Sequence, residues 1–180
     1  MKLIMRKLIL TAVFAIICGT TSVFADALEN KNAVGAYFLA ADHEVGGLQY
    51  ERRFSDLVST KFGVFAFYNQ DTYSDPFKMN ITAETDFTLY ANNWREKIAS
   101  RLFAYGMVGY ESYIERVYDY EHDAKKSEKM HNNALASVGF GFDFMFFDHL
   151  SVPIQFGFMG TFPDDTQVGF CGGIGIRYTW

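Results

Sequence analysis

Four histidines, His43, His122, His131 and His149, are the side chains best suited to acid–base chemistry in this chain of 180 residues. A hydroxyl nucleophile needs such a base within hydrogen-bond reach and a third group to orient it. Around His131 the sequence offers Ser112 or Ser127 as hydroxyl and Glu111 or Glu115 as orienting acid. That set would serve hydrolysis or acyl transfer, although nothing in the spacing demands it. A loop histidine is ordinarily solvated polar surface. His122 and His131 also flank Glu121, Asp123 and Glu128, donors that suit a divalent metal. Their spacing matches no dedicated motif, so no metal and no other cofactor is expected. Gly139-x-Gly141 and Gly173-x-Gly175 lie inside alternating segments, where glycine eases packing or curvature rather than cradling phosphate.

A second set of reactive side chains is larger and more regular. Glu51, Arg53, Lys61, Glu84, Asp86, Arg101, Glu111, Asp143 and Arg177 each stand on the polar face of a segment that alternates polar and apolar residues. Successive strand side chains point to opposite faces. Four basic and five acidic groups therefore aim at one interior. They are expected to pair as a packed polar core, with an ion path or proton relay as the other reading.

The elements that carry them are eight segments of period two: about 33–41, 45–54, 58–69, 80–92, 97–118, 131–147, 151–162 and 168–180. In the sixth, Ala134, Ala136, Val138, Phe140, Phe142, Phe144 and Phe146 oppose Asn133, Leu135, Ser137, Gly139, Gly141, Asp143 and Met145. In the seventh, Val152, Ile154, Phe156 and Phe158 oppose Pro153, Gln155 and Gly157. The fourth sets Ile81, Ala83, Thr85, Phe87 and Leu89 against Thr82, Glu84, Asp86, Thr88 and Tyr90. In the eighth, Val168, Phe170, Ile174, Ile176, Tyr178 and Trp180 face away from Cys171, Gly173, Gly175, Arg177 and Thr179. The first segment leaves its register open, because Tyr37-Phe38-Leu39 does not alternate. Breaks at 55–57, 92–96 and 148–150 are tight, whereas 70–79, 119–130 and 163–167 are longer and more polar. Short turns at one end and long loops at the other predict an all-β, eight-stranded antiparallel up-and-down transmembrane barrel, with both termini on the periplasmic side.

The first 25 residues read as an export signal. Lys2, Arg6 and Lys7 precede the apolar run Leu8 to Cys18, and Val23-Phe24-Ala25 fits the cleavage rule. Cys18-Gly19 has the form of a lipoprotein junction, but Ile17 occupies a position that usually holds a small residue. Cleavage after Ala25 leaves a barrel over 26–180. The run is shorter than the ~20 residues of a spanning helix, so insertion into a membrane must use strands. The whole chain has 16 Lys and Arg against 21 Asp and Glu, and the signal holds three of the basic residues and no acid. Thirteen against 21 remain, a formal charge of −8, which excludes nucleic acid as a natural partner. Cys171 is the one cysteine left, so no intramolecular disulfide forms. Nineteen Phe and eleven Tyr suit strands and interfacial girdles.

A soluble eight-stranded barrel would carry an apolar interior and a polar exterior. Here one face is charged and the other is a row of phenylalanines, and a lipid exterior satisfies both. With Gly173-Ile174-Gly175-Ile176-Arg177-Tyr178-Thr179-Trp180 at the end, and with the turn-plus-strand units 53–59 and 147–152, the chain resembles the small outer-membrane β-barrels of Gram-negative-type bacteria, the OmpA/OmpX-like group. The resemblance covers the mature chain and is one of pattern. It implies residence in the bacterial outer membrane, contact with outer-membrane lipids, and a C-terminal assembly signal read by the barrel-assembly machinery. Ile174, Ile176, Tyr178 and Trp180 would form that signal, Trp180 standing where the group usually has Phe. Some barrels of this size are lipid A deacylases or palmitoyltransferases with a rim histidine and serine. The His-x-Ser-Asn arrangement similar to deacylases is absent, since Asn132-Asn133-Ala134 follows His131. The expected function is a structural barrel with a plugged lumen and a protruding hairpin. Tyr110, Tyr113, Tyr118 and Tyr120 and the charged run 119–129 would offer that hairpin to an extracellular protein or polysaccharide. A lipid-modifying hydrolase or acyltransferase at the rim is the alternative.

Overall fold

The alternating segments become strands because each has one apolar face for the outside of the sheet and one polar face for its interior. The computed structural model of the protein describes residues 30–41, 44–69, 76–94, 98–119, 124–164 and 166–180. The strands are β1 (Asn32–Ala40), β2 (Glu44–Arg53), β3 (Val58–Tyr68), β4 (Phe77–Trp94), β5 (Ile98–Asp119), β6 (Ala124–Phe146), β7 (Leu150–Pro163) and β8 (Gln167–Thr179). Each pairs antiparallel with the next, and β1 pairs with β8 to close the barrel. Closure leaves no sheet edge along the seam, which a lipid environment requires because it offers no water to unpaired backbone. The expected signal segment 1–25 lies outside the described residues, as do the loop histidines His43 and His122.

The tight turns follow from their residues. Between β2 and β3, the Ser55 hydroxyl accepts from the backbone N–H of Leu57 and Val58. Between β6 and β7, the His149 N–H donates to Phe146 O, and the two central residues, Phe147 and Asp148, have φ of 53° and 63°. Positive φ at both central positions gives a turn whose twist matches that of the strands. These turns share one end of the barrel with the start of β1 and with Trp180.

The two faces separate as the alternation demands. Val168 and Phe170 are 78% and 66% exposed, whereas Cys171, Arg177 and Thr179 on the other face are buried. The exposed band contains Val108, Val138, Phe140, Phe156 and Phe158 and carries tyrosines at both ends: Tyr50, Tyr90 and Tyr178 by the turns, and Tyr68 and Tyr110 opposite. In β1 the open register resolves with Ala33, Tyr37 and Leu39 inward and Val34 and Phe38 outward.

Three expectations need correction. Tyr90 faces out rather than in, 55% exposed, because the β4–β5 register shifts between Thr88 and Tyr90 and turns Ala91 to the interior. A bulge adds one residue to one strand and so reverses its alternation. β4 begins at Phe77 and runs to Trp94, beyond the alternating stretch 80–92. β6 begins at Ala124 rather than 131, because backbone pairing with β5 continues where the side chains no longer alternate in polarity.

Glycines let the interior aromatics fit. Gly139 and Gly157 lie directly opposite each other. A Cβ on Gly157 would fall 2.2 Å from Val138 O and 2.9 Å from the hydroxyl of Tyr105. Gly157→Ala is therefore expected to cost about 1–3 kcal/mol in urea unfolding from lipid vesicles. A change below about 0.5 kcal/mol, the range of ordinary surface substitutions, would show that the wall yields freely there.

Candidate functional site

Read from the turn end upward, the inward residues of every strand define layers. On β5 they run Arg101, Phe103, Tyr105, Met107, Gly109, Glu111; on β6, Asp143, Gly141, Gly139, Ser137, Leu135, Asn133, His131. Above a small apolar patch at the turn end, charges come first, apolar groups next, and polar groups return at the outer rim.

The charge layer is one continuous network. Glu51 takes Arg177 Nη1 at 2.6 Å, Arg101 Nη2 at 3.1 Å and Arg53 Nε at 3.2 Å. Asp143 Oδ2 meets the same three guanidiniums: Arg177 at 2.9 Å, Arg101 at 3.2 Å and Arg53 at 3.4 Å. Asp86 Oδ2 lies 2.8 Å from Lys61 Nζ and 3.1 Å from Arg101 Nη2, and Lys61 also pairs with Glu84 at 2.5 Å. Neutral groups complete the shell. Ser151 donates to Asp143 Oδ1 at 2.6 Å, Gln155 donates to Glu84, and Arg101 donates to Ser59 Oγ at 3.2 Å. All eight charged side chains are buried. Four cations face four carboxylates, so the layer is electrically neutral. Such charges are tolerable out of water only when paired and hydrogen-bonded.

Phe103 caps this layer. Lys61 Nζ and Arg101 Cζ sit 4.5 and 4.8 Å from its ring centroid, within cation–π range. Behind it Tyr37, Leu39, Val45, Tyr105, Met107, Leu135, Met159 and Cys171 form one apolar cluster across the lumen. Cys171 lies inside, 3.6 Å from both the Tyr105 hydroxyl and Ser137 Oγ. A second small cluster, Ala91, Ala99 and Met145, lines the turn end, where Arg53 Nη1 approaches Met145 Sδ at 3.7 Å.

Eight of the nine interior charges expected from sequence thus meet in one network. The ninth, Glu111, is buried but stands beyond the apolar layer and pairs with Lys78 at 3.2 Å. Sequence reading missed Lys78, which lies in the part of β4 that was read as loop. It placed Gln155 on the polar face but did not join it, Gln49, Ser59 or Ser151 to the network; Gln49 Oε1 accepts from Arg177 Nη1 at 3.4 Å, and the inward parity of all four was the available signal. At the rim His131 is 3.0 Å from Glu115 Oε2 and stacks on Tyr113 with ring planes 2° apart. Glu115 is therefore the acid that meets His131. Ser112 Oγ donates to Asn132 Oδ1 at 3.1 Å. Among the described residues no group of three His, Cys, Asp or Glu side chains is placed to hold a metal.

Comparison with solved structures gives the fold its class. The N-terminal β-barrel domain of Pseudomonas aeruginosa OprF matches with a TM-score of 0.58 at 8% identity, covering 84% of this chain and 98% of that one. Outer membrane protein H of P. aeruginosa, OprH, matches with a TM-score of 0.56 at 11% identity, covering 83% and 99%. The chain has the eight-stranded fold of these small bacterial outer-membrane barrels, and its greasy belt is the exterior such a barrel turns to lipid. No family model matches the sequence, and no curated protein does.

Proposed function

We propose that this is a structural barrel of the outer membrane, exported by residues 1–25, sealed along its lumen, and displaying the end of β5–β6 to a surface partner. The observation that carries it is the closed lumen. A neutral, buried ion-pair network is stacked under an apolar layer. Eight strands give an interior just wide enough for side chains to fill. In planar bilayers the purified barrel is expected to give rare, small openings or none. Steady ion-selective channels whose selectivity shifts in Glu84→Gln would make it a porin instead.

The display element is a two-stranded ribbon. Pairing of β5 with β4 ends at Ile114–Phe77, and pairing of β6 with β7 ends at Asn133–Pro163, yet β5 and β6 stay paired to Asp119–Ala124. Arg116 and Glu128 bridge it at 3.1 Å. Its free edges suit strand addition by a protein, and its charges and Tyr113 suit a protein or polysaccharide surface. Replacing 115–130 by a short turn is expected to leave a heat-modifiable, folded barrel and abolish adhesion of expressing cells to immobilised protein or glycan. Equal adhesion by both would remove the display role.

The His131–Glu115 contact favours one other reading, an acid-oriented base for lipid hydrolysis or acyl transfer at the rim. Mass spectrometry of outer-membrane lipids from cells with wild-type or His131→Ala protein decides it. Identical lipid profiles would end that reading.

A further inference from the structure

β2 and β3 separate toward the outer end of the barrel. Their backbones pair from Arg53–Ser59 only as far as Leu48–Val64, although β1–β2 pairing continues to Ala40–Glu44 and β3–β4 pairing to Tyr68–Phe77. Residues 44–47 and 65–68 thus face each other unpaired across a notch in the wall. Gly47 lies at its apex with a φ of +131°, a conformation side-chain-bearing residues rarely adopt, and a Cβ there would fall 2.3 Å from Val64 O. Above the apex opens a cleft of about 220 Å³, lined by Phe38, Phe65, Phe67, Lys78 and Asn80 among others.

The cleft passes through the wall and opens on the apolar belt at Phe38 and Gly46. Phe38 is about half exposed on the outer face, Phe67 is about half exposed at the rim on the inner face that it shares with Lys61, and Tyr68 beyond it belongs to the outer aromatic girdle. Its inner wall carries a group with an unmet need. Asn80 is fully buried, lies opposite Phe65 on β3, and neither its Nδ2 nor its Oδ1 has a hydrogen-bond partner. A buried amide left unpaired is costly, and such a group in a folded protein calls for an explanation. Charge does not supply one. Lys78 is paired with Glu111, and Glu44 also lines the cleft, so no net positive field draws an anion. A ligand fits if it is slender and apolar and carries one donor beside one acceptor. The volume is below the ~300–1,000 Å³ of drug-sized sites, which suits a single chain.

We propose that the notch between β2 and β3 is a lateral binding site for an amide-linked acyl chain of a membrane lipid. The amide carbonyl accepts from Asn80 Nδ2, the amide N–H donates to Asn80 Oδ1, and the chain lies against Phe38, Phe65 and Phe67. An ester-linked chain offers an acceptor only and leaves Oδ1 unmet. The site needs the barrel to lie in lipid but is independent of the ribbon and of lumen sealing.

The test uses the full barrel in phosphatidylcholine nanodiscs, its folding verified by heat-modifiable mobility. The probes are an N-acylethanolamine with a diazirine on its chain and the matched O-acyl glycol ester. Crosslinks are mapped by mass spectrometry. The amide probe is expected to label Phe38, Phe65 and Phe67 about tenfold over Val108 and Val138, which are more exposed elsewhere on the belt, with the ester well behind. Asn80→Leu keeps the side-chain bulk and should bring the amide probe down to the ester level. Should that variant not fold, Phe67→Trp narrows the cleft from an exposed position and should cut labelling at Phe65 about fivefold, slightly over 0.9 kcal/mol at RT ≈ 0.59 kcal/mol. Even labelling around the belt, equal labelling by amide and ester, or unchanged labelling in the variants would overturn the site.

Discussion

Arg101→Ala is expected to lower the stability of the folded barrel by about 3–5 kcal/mol in urea titrations from lipid vesicles. Arg101 Nη2 alone reaches Glu51, Asp86 and Asp143 within 3.2 Å, and Nη1 reaches Ser59. Removing it leaves three cations for four buried carboxylates beneath Phe103. The cost is mainly that of the stranded carboxylates rather than the worth of the pairs, so it should fall when one carboxylate is neutralised too. Arg101→Met combined with Asp86→Asn is expected to cost less than the sum of the two single changes, by about 1–3 kcal/mol of coupling. Arg177→Ala should resemble Arg101→Ala, since it strands Glu51 and Asp143. Lys129→Ala, at an exposed ribbon position, should change stability by no more than about 0.5 kcal/mol. A loss below about 1 kcal/mol for both arginines would mean that water reaches the network, and the lumen would then not be sealed.

The inward set was legible in the sequence because period two assigns each side chain a face without any knowledge of its partners. Arg177 and Asp143 could be placed inside by counting alternate residues in their own strands. That Arg177 bridges Asp143 and Glu51 could not be read off, since it depends on how far each strand slides against the next around the ring. Glu111 shows the same limit: it shares a face with Arg101 yet lies beyond the apolar layer, with a lysine from β4. The bulge beside Leu89 was illegible because its flanking residues, Thr88 and Tyr90, are both good strand residues on either face. The start of β6 escaped for a related reason. Beyond the closed ring neither face of a two-stranded ribbon is covered by a neighbouring strand, so backbone pairing persists while the polarity pattern disappears. The β2–β3 notch is an absence of pairing, and only the Gly46-Gly47 pair hints at it.

Trp180→Ser is expected to cut the folded, membrane-inserted yield in cells several-fold while leaving refolding into lipid vesicles nearly unchanged. The distinction follows from what Trp180 does in the finished barrel. Its backbone closes the seam: its N–H donates to Asn32 O at 3.0 Å and its carbonyl accepts from Asn32 N–H at 3.1 Å. Serine keeps both bonds. The indole is 47% exposed in the turn-end aromatic girdle, where it stacks loosely on Tyr178 with ring centroids 6.1 Å apart. Losing that contact should cost about 1 kcal/mol or less, too little to empty the folded state. A large defect confined to cells therefore reports recognition of the terminal aromatic during assembly, together with Ile174, Ile176 and Tyr178 at alternate positions before it. Trp180→Phe should restore the cellular yield, because it keeps an aromatic end. Deleting Trp180 should impair refolding in vesicles as well, because two seam hydrogen bonds go with it. If Trp180→Ser lowered vesicle refolding as much as cellular yield, the residue would be a stability element of the seam rather than a signal. Unchanged yield in both settings would mean that the C-terminal pattern is not read at all.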